Sequence, residues 1–163
     1  WCAVVLPVST RVSNSNMIEV HEDDFGLLGN LGVFLRDLQG DEQHALVIHE
    51  RVCAIAEDML PQDHPDIATA MGNLASTFAH LGRYDEALNL EQECLEFRKR
   101  VLPQDHPEIA TSMNNLALVF SDMGRHDDAL KLGQEVLDFR KRVLPQDHPH
   151  IAVSMNNLAM DVS

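Results

Sequence analysis

The sequence predicts an all-α solenoid of stacked helical hairpins, and three observations carry the prediction. Residues 102–143 repeat residues 60–101 with 28 of 42 positions identical, and residues 144–163 repeat the first half again with 15 of 20 identical. Within each copy the apolar residues recur at helical spacing. Between the helical stretches, proline and glycine fall at the same places every time. A fixed period of this size marks supersecondary units that bury their faces against one another, not around one shared core.

Residues 1–16 have no helical period, hold Pro7 and carry a run of Ser, Thr and Asn, so residues 1–20 are expected to form a flexible tail. The array then occupies residues 21–163, in units of about 21–59, 60–101, 102–143 and a partial 144–163. The first unit is worn. Gly29-Asn30-Leu31 aligns with Gly72-Asn73-Leu74 at an offset of 43, whereas Gly40 aligns with Gly82 at 42. Terminal repeats drift in this way because one face meets solvent. Helices are expected there over 24–39 and 44–59.

The second unit is punctuated clearly. Pro61 ends one helix and Pro65 opens the next, since proline is tolerated in a first turn but not inside a helix. Asp63 or His64 is the expected N-cap, with Asp66 placing negative charge at the positive helix end. That helix runs to about Leu81, Gly82 stops it, and a second helix covers about 85–102. In the third unit Ile109, Met113, Leu116, Ala117 and Phe120 form one helical stripe. After Gly124, Ala129, Leu132, Val136, Phe139 and Val143 form another, with Leu130, Leu137 and Leu144 beside it. A helix apolar on two sides needs two neighbours. Glu96 with Arg100, and Asp138 with Arg142, have the i,i+4 spacing of favourable surface pairs. The last unit supplies one helix, and the apolar side of residues 151–158 has no partner helix after it.

Composition narrows the function classes. The formal charge is −14, from 26 acidic and 12 basic residues. Such a surface repels phosphate backbones and anionic headgroups, so neither nucleic acid nor membrane is an expected partner. No run approaches the roughly 20 apolar residues of a membrane helix. Cys2, Cys53 and Cys94 are odd in number, widely spaced and free of a CxxC pair, which suits a reducing, cytoplasmic setting. Cys53 and Cys94 read as small core residues. The chain begins with Trp1, which suits a piece of a longer chain, and Met17 is a candidate start.

Two recurring patterns look like sites. Asp63-His64, Asp105-His106 and Asp147-His148 could pass for metal ligands, but each belongs to a turn used once per unit. Stacked units place equivalent residues about 10 Å apart, too far to share one ion, so no metal is expected. Arg98-Lys99-Arg100 and Arg140-Lys141-Arg142 sit in last helical turns, where cations offset the helix dipole and neighbouring acids. Neither a nucleophile elbow nor a phosphate loop occurs, so the sequence predicts no enzyme and no cofactor.

The string N-L-A-x-x-F followed by G-R-x-D-x-A-L resembles the tetratricopeptide repeat. Leu116 and Ala117 match its Leu-Gly pair, Phe120 its Tyr, Gly124 its turn glycine and Ala129 its second-helix Ala. The fuller string LPQDHPxIAxSMNNLA…GRxDxAL…FRKRV is similar to the 42-residue variety in kinesin light chains and nephrocystin-type proteins. The resemblance implies a right-handed superhelix whose first helices line a concave groove. Groove positions would be Arg36 in the first unit and Thr69, Gly72, Ser76, Ala79 and His80 in the second. Thr111, Asn114, Leu118, Ser121 and Asp122 follow in the third, then Val153, Asn156 and Met160. Asn114 and Asn156 are the leading ligand contacts, because an amide both donates and accepts. Asn73, Asn115 and Asn157 recur in every copy and read as structural amides. With Arg36 and His80 as the groove bases, against Asp37 and Asp122, a neutral or basic protein or peptide is expected over an acidic one. The resemblance thus implies a protein-interaction scaffold. Self-association through the uncovered last helix, or a cargo-adaptor piece of a larger multidomain protein, is the alternative.

Overall fold

The structure is a computed structural model that describes residues 42–161, with side chains as far as Leu158. Its helices are α1 (Glu42–Met59), α2 (Pro65–His80), α3 (Tyr84–Val101), α4 (Pro107–Asp122), α5 (His126–Val143) and α6 (Pro149–Asp161). The expected tail, the 24–39 helix and Arg36 lie outside the described residues. Each helix packs on the next, and α2 also touches α4. The result is a row of antiparallel hairpins, α2 with α3 and α4 with α5, preceded by α1 and followed by α6. The fold is an all-α superhelical repeat.

Local chemistry explains why the chain breaks where it does. His64, His106 and His148 each turn Nδ1 to accept the backbone N–H two residues on, at 3.2, 3.3 and 3.2 Å. Histidine, not aspartate, is therefore the cap. The aspartate is used elsewhere: Asp105 accepts from Arg142 Nη2 at 3.2 Å, and Asp63 lies 3.7 Å from Arg100. Each of these arginines lies over the phenylalanine three residues before it, Phe139 or Phe97, at 5.0 Å. An aspartate opening a hairpin is thus stapled to an arginine closing the same hairpin.

This corrects the expected i,i+4 pairs. Glu96 takes Lys99 at 2.9 Å, and Asp138 accepts from Gln134 at 3.0 Å. The arginines are drawn off their own helices because the aromatic face and the preceding turn offer both an apolar bed and a carboxylate.

The turn glycines are in the left-handed region, Gly82 at φ 71° and Gly124 at φ 72°. The next residue closes the helix end: Arg83 N–H donates to Phe78 O at 2.9 Å, and Arg125 N–H to Phe120 O at 2.8 Å. Both guanidinium groups then lie 4.4 Å above the same rings and bond Glu86 and Asp128 in the following helix. A Cβ at Gly124 would meet nothing within 4 Å, so alanine there costs only backbone conformation. Gly124→Ala is expected to lower stability by roughly 1–2 kcal/mol in a urea titration.

Small residues let the helices approach. Ala45, Ala68, Ala75, Ala87, Cys94, Ala110 and Ala129 are fully buried. Cys94 donates its thiol to Ala68 O at 3.2 Å, and burial pushes that thiol up from its ordinary value, partly offset by Arg98. Both described cysteines are buried thiols, as core residues would be.

Candidate binding groove

The first helices of successive hairpins, α2, α4 and α6, run side by side, and their outward residues define the candidate face. On α2, Thr69, Gly72, Ser76 and His80 recur at three- and four-residue steps, so they share one side. Thr69 and His80 are exposed, and Gly72, Ser76 and Ala79 are half-buried. His80 folds back, its Nδ1 2.7 Å from Ser76 O; a carbonyl only accepts, so Nδ1 carries the proton. On α4, Leu118 and Asp122 are exposed, while Thr111, Asn114 and Ser121 are half-buried. Thr111 donates to Pro107 O at 3.4 Å. On α6, Val153 and Asn156 are exposed.

The face is sparing in charge. Among these residues only Asp122 and His80 can carry one, in a chain of net charge −14. Its apolar atoms stand out as well: Leu118 is 43% exposed and Val153 45%.

Two of the recurring amides bond between helices. Asn115 donates to Glu91 at 3.1 Å across α3 and α4. Asn157 donates to Asn114 Oδ1 at 3.1 Å, joining α6 to α4. Asn114 therefore has one carbonyl lone pair committed to the array, and the Asn114–Asn157 bond holds the Asn156 helix beside it. Gly72 is the position equivalent to both Asn114 and Asn156, and a Cβ there meets nothing within 4 Å. Gly72→Asn extends the amide row into α2 and removes a mid-helix glycine. It is expected to raise the thermal midpoint, by an amount worth roughly 0.5 kcal/mol.

The groups that sequence reasoning missed lie behind this face, between hairpins. Arg98 is buried and donates to Ser112 Oγ at 2.6 Å and to Glu108 O at 3.4 Å, with Glu108 Oε2 3.6 Å from its Nε. Arg140 repeats this, donating to Ser154 Oγ at 2.7 Å and His150 O at 3.1 Å; burial lowers its pKa. The middle of each basic run is thus a surface ion, but its first arginine enters the interior. Glu91 is 1% exposed and its Oε2 has no hydrogen-bond partner. Burial pushes its carboxyl up to about 7, against the opposing effects of Asn115 and Arg98. The available signal was the unit-to-unit comparison, where His49, Glu91 and Gly133 occupy one position.

Among the described residues no His, Cys, Asp or Glu cluster is arranged to hold a metal ion, and no helix is long and apolar enough to cross a membrane. The sequence profile of the tetratricopeptide repeat matches residues 23–100, 66–142 and 108–163. The chain belongs to the tetratricopeptide repeat family. Solved structures agree on the fold. A kinesin-light-chain candidate of Podosopora anserina with nearly identical TPR-like repeats is 24% identical, with a TM-score of 0.78 over 86% of this chain and 66% of that one. BtubC (BKLC) from P. vanneervenii is 21% identical, with a TM-score of 0.74 over 88% of this chain and 58% of that one. The chain therefore spans less than two thirds of the length of either. A TPR-like protein of Chlorobium tepidum is 18% identical, with a TM-score of 0.63 over 86% of this chain and 96% of that one. No curated protein sequence matches the chain. A tetratricopeptide array is a protein-interaction repeat scaffold, a non-catalytic kind of fold.

Proposed function

We propose that this repeat array binds a peptide or partner helix along the face carrying Thr69, Ser76, His80, Thr111, Asn114, Leu118, Ser121, Asp122 and Asn156. The observation that carries the reading is chemical. This is a face of hydroxyls, amides and two exposed aliphatic side chains, nearly uncharged, in a chain otherwise strongly acidic. Amides suit an extended backbone because each both donates and accepts, and Leu118 and Val153 offer apolar anchorage. Without a cluster of bases, the described part of the face is poorly matched to carboxylates. The occupant is a neutral or basic protein segment, steered in by the −14 field. A cytoplasmic adaptor of the kinesin-light-chain kind is the setting we favour.

Immobilised protein with Asn114→Ala and Asn156→Ala tests this. Partners retained by the wild-type chain should be lost at least tenfold from the double variant. Equal capture removes the face from the account.

A second reading, end-to-end association, is favoured by one comparison. Ala68 and Ala110 are fully buried, whereas Ala152 at the equivalent position is exposed; Met155 is 54% exposed where Met71 is 6%. Light scattering over a concentration series decides it, and a strict monomer at high concentration ends that reading.

A further inference from the structure

The three seams between consecutive hairpins are built from equivalent positions but not from equivalent chemistry. At the α1–α2 seam, His49 Nδ1 lies 2.8 Å from Thr77 Oγ1, and one helix turn pair further on Ala56 and Ala70 are both buried. At the α3–α4 seam the same positions hold Glu91, bonded by Asn115, and the Arg98–Ser112 pair. At the α5–α6 seam they hold Gly133 and the Arg140–Ser154 pair. A Cβ at Gly133 would stand 3.3 Å from Leu158 Cδ2, so that leucine occupies space a larger residue would need.

These differences co-vary across each seam. Buried alanine stands at both positions of the first seam, and arginine bonds serine at the other two. The residues that close each hairpin from within, Asp63–Arg100 and Asp105–Arg142, are by contrast the same from unit to unit. With 28 of 42 positions shared between the two full units, hairpin closure and general apolarity cannot tell one unit from the next. A repeat chain in that position is exposed to stacking in the wrong register, within one molecule or by exchange with a second copy.

We infer that the buried seam pairs form a register code, so that α2 accepts only α1 and α4 accepts only α3. The penalties follow from the chemistry of each wrong pairing. Placing α3 or α5 against α2 sets a buried arginine opposite Ala70, which removes its hydroxyl acceptor and leaves a buried charge short of partners. Placing α1 against α4 sets His49 opposite Val119, which has no hydrogen-bonding group, and leaves Ser112 facing Ala56. Placing α5 against α4 keeps an arginine–serine pair but leaves Asn115 without the Glu91 carboxylate. Placing α3 against α6 keeps both pairs, because Ser154, Asn157 and Leu158 repeat Ser112, Asn115 and Leu116, so α6 does not discriminate against α3. Every slip onto α2 or α4 therefore breaks at least one pair.

The test erases the code without erasing the fold. Ser112→Ala alone should lower the thermal midpoint, and Arg98→Ala/Ser112→Ala should recover most of that loss, because it rebuilds the alanine–alanine pair of the first seam. Ala56→Arg and Ala56→Arg/Ala70→Ser run the same logic in the other direction. Each double variant makes the first two seams alike at this pair. After refolding from denaturant at high protein concentration, each should yield several-fold more exchanged dimer than the wild-type chain, read by size-exclusion with light scattering. Additive single and double midpoints would overturn the pairing. Recovered midpoints with no more dimer than the wild type would leave the pairs as stabilisers and overturn the code. Should Ala56→Arg/Ala70→Ser fail to fold, Arg98→Ala/Ser112→Ala decides the question alone.

Discussion

Replacing Glu91 with glutamine is expected to stabilise the protein at pH 8 by up to about 3 kcal/mol and to leave it nearly unchanged near pH 4.5. The sign follows from where the proton sits. In the folded chain the carboxyl is pushed up to about 7, chiefly by burial, from an ordinary value of 4.5. Folding therefore favours the protonated form. Its contribution is fully present below about 4.5, falls as the pH rises through 7, and is gone above that. The gap corresponds to roughly 3 kcal/mol at 1.36 kcal/mol per unit. The residue is only 1% exposed, which leaves little solvent screening to discount.

The geometry makes glutamine a good replacement. Asn115 donates to Oε1, while Oε2 is buried without a partner. A glutamine keeps the acceptor that Asn115 needs and carries no charge. The groups facing the site, Asn115 from α4 and Arg98 and Cys94 from the same helix, are otherwise untouched. Urea titrations of both proteins at pH 5 and pH 8 isolate this residue, because the other carboxylates cancel in the difference. An equal difference at the two pH values would mean that Glu91 stays ionised in the fold.

What the sequence made legible is what the units share. Pro61 and Pro65, with Gly82 and Gly124, punctuate the chain because each imposes a backbone conformation of its own, whatever lies around it. The observed α2 therefore ends one residue before the expected Leu81, and α3 starts one residue before the expected 85. Residues whose role depends on a partner from another unit were not legible in the same way. Arg98 and Arg100 are two residues apart in one basic run, yet Arg98 reaches forward to Ser112 and Arg100 back to Asp63. A helix-dipole argument treats both alike, since it uses only position along one helix. The candidate face falls between these cases. Spacing alone places Thr69, Ser76 and His80 on one side of α2, but that Asn114 is held by Asn157 depends on how α4 and α6 lie together.

Ile109→Ala is expected to cost roughly 2–5 kcal/mol and to divide the unfolding of the array into two steps. Ile109 is 4% exposed and packs with Leu95 and Leu116 where α3 meets α4. Truncation there removes apolar contact on both sides of one seam and leaves a cavity that neighbouring side chains fill only in part. In a stack where each hairpin touches only its neighbours, stability is close to a sum of unit and seam terms, so a weakened central seam uncouples what flanks it. The side of the array before Ile109 keeps the large cluster that runs from Leu46 through Phe78 to Cys94. The side after it relies on Ala129, Val136, Leu137 and Ile151 and should open first. Hydrogen exchange resolves this directly: α5 and α6 should lose protection at lower denaturant than α2 and α3. Uniform loss of protection across all six helices would mean that the array folds as a single cooperative unit, with stability not carried seam by seam.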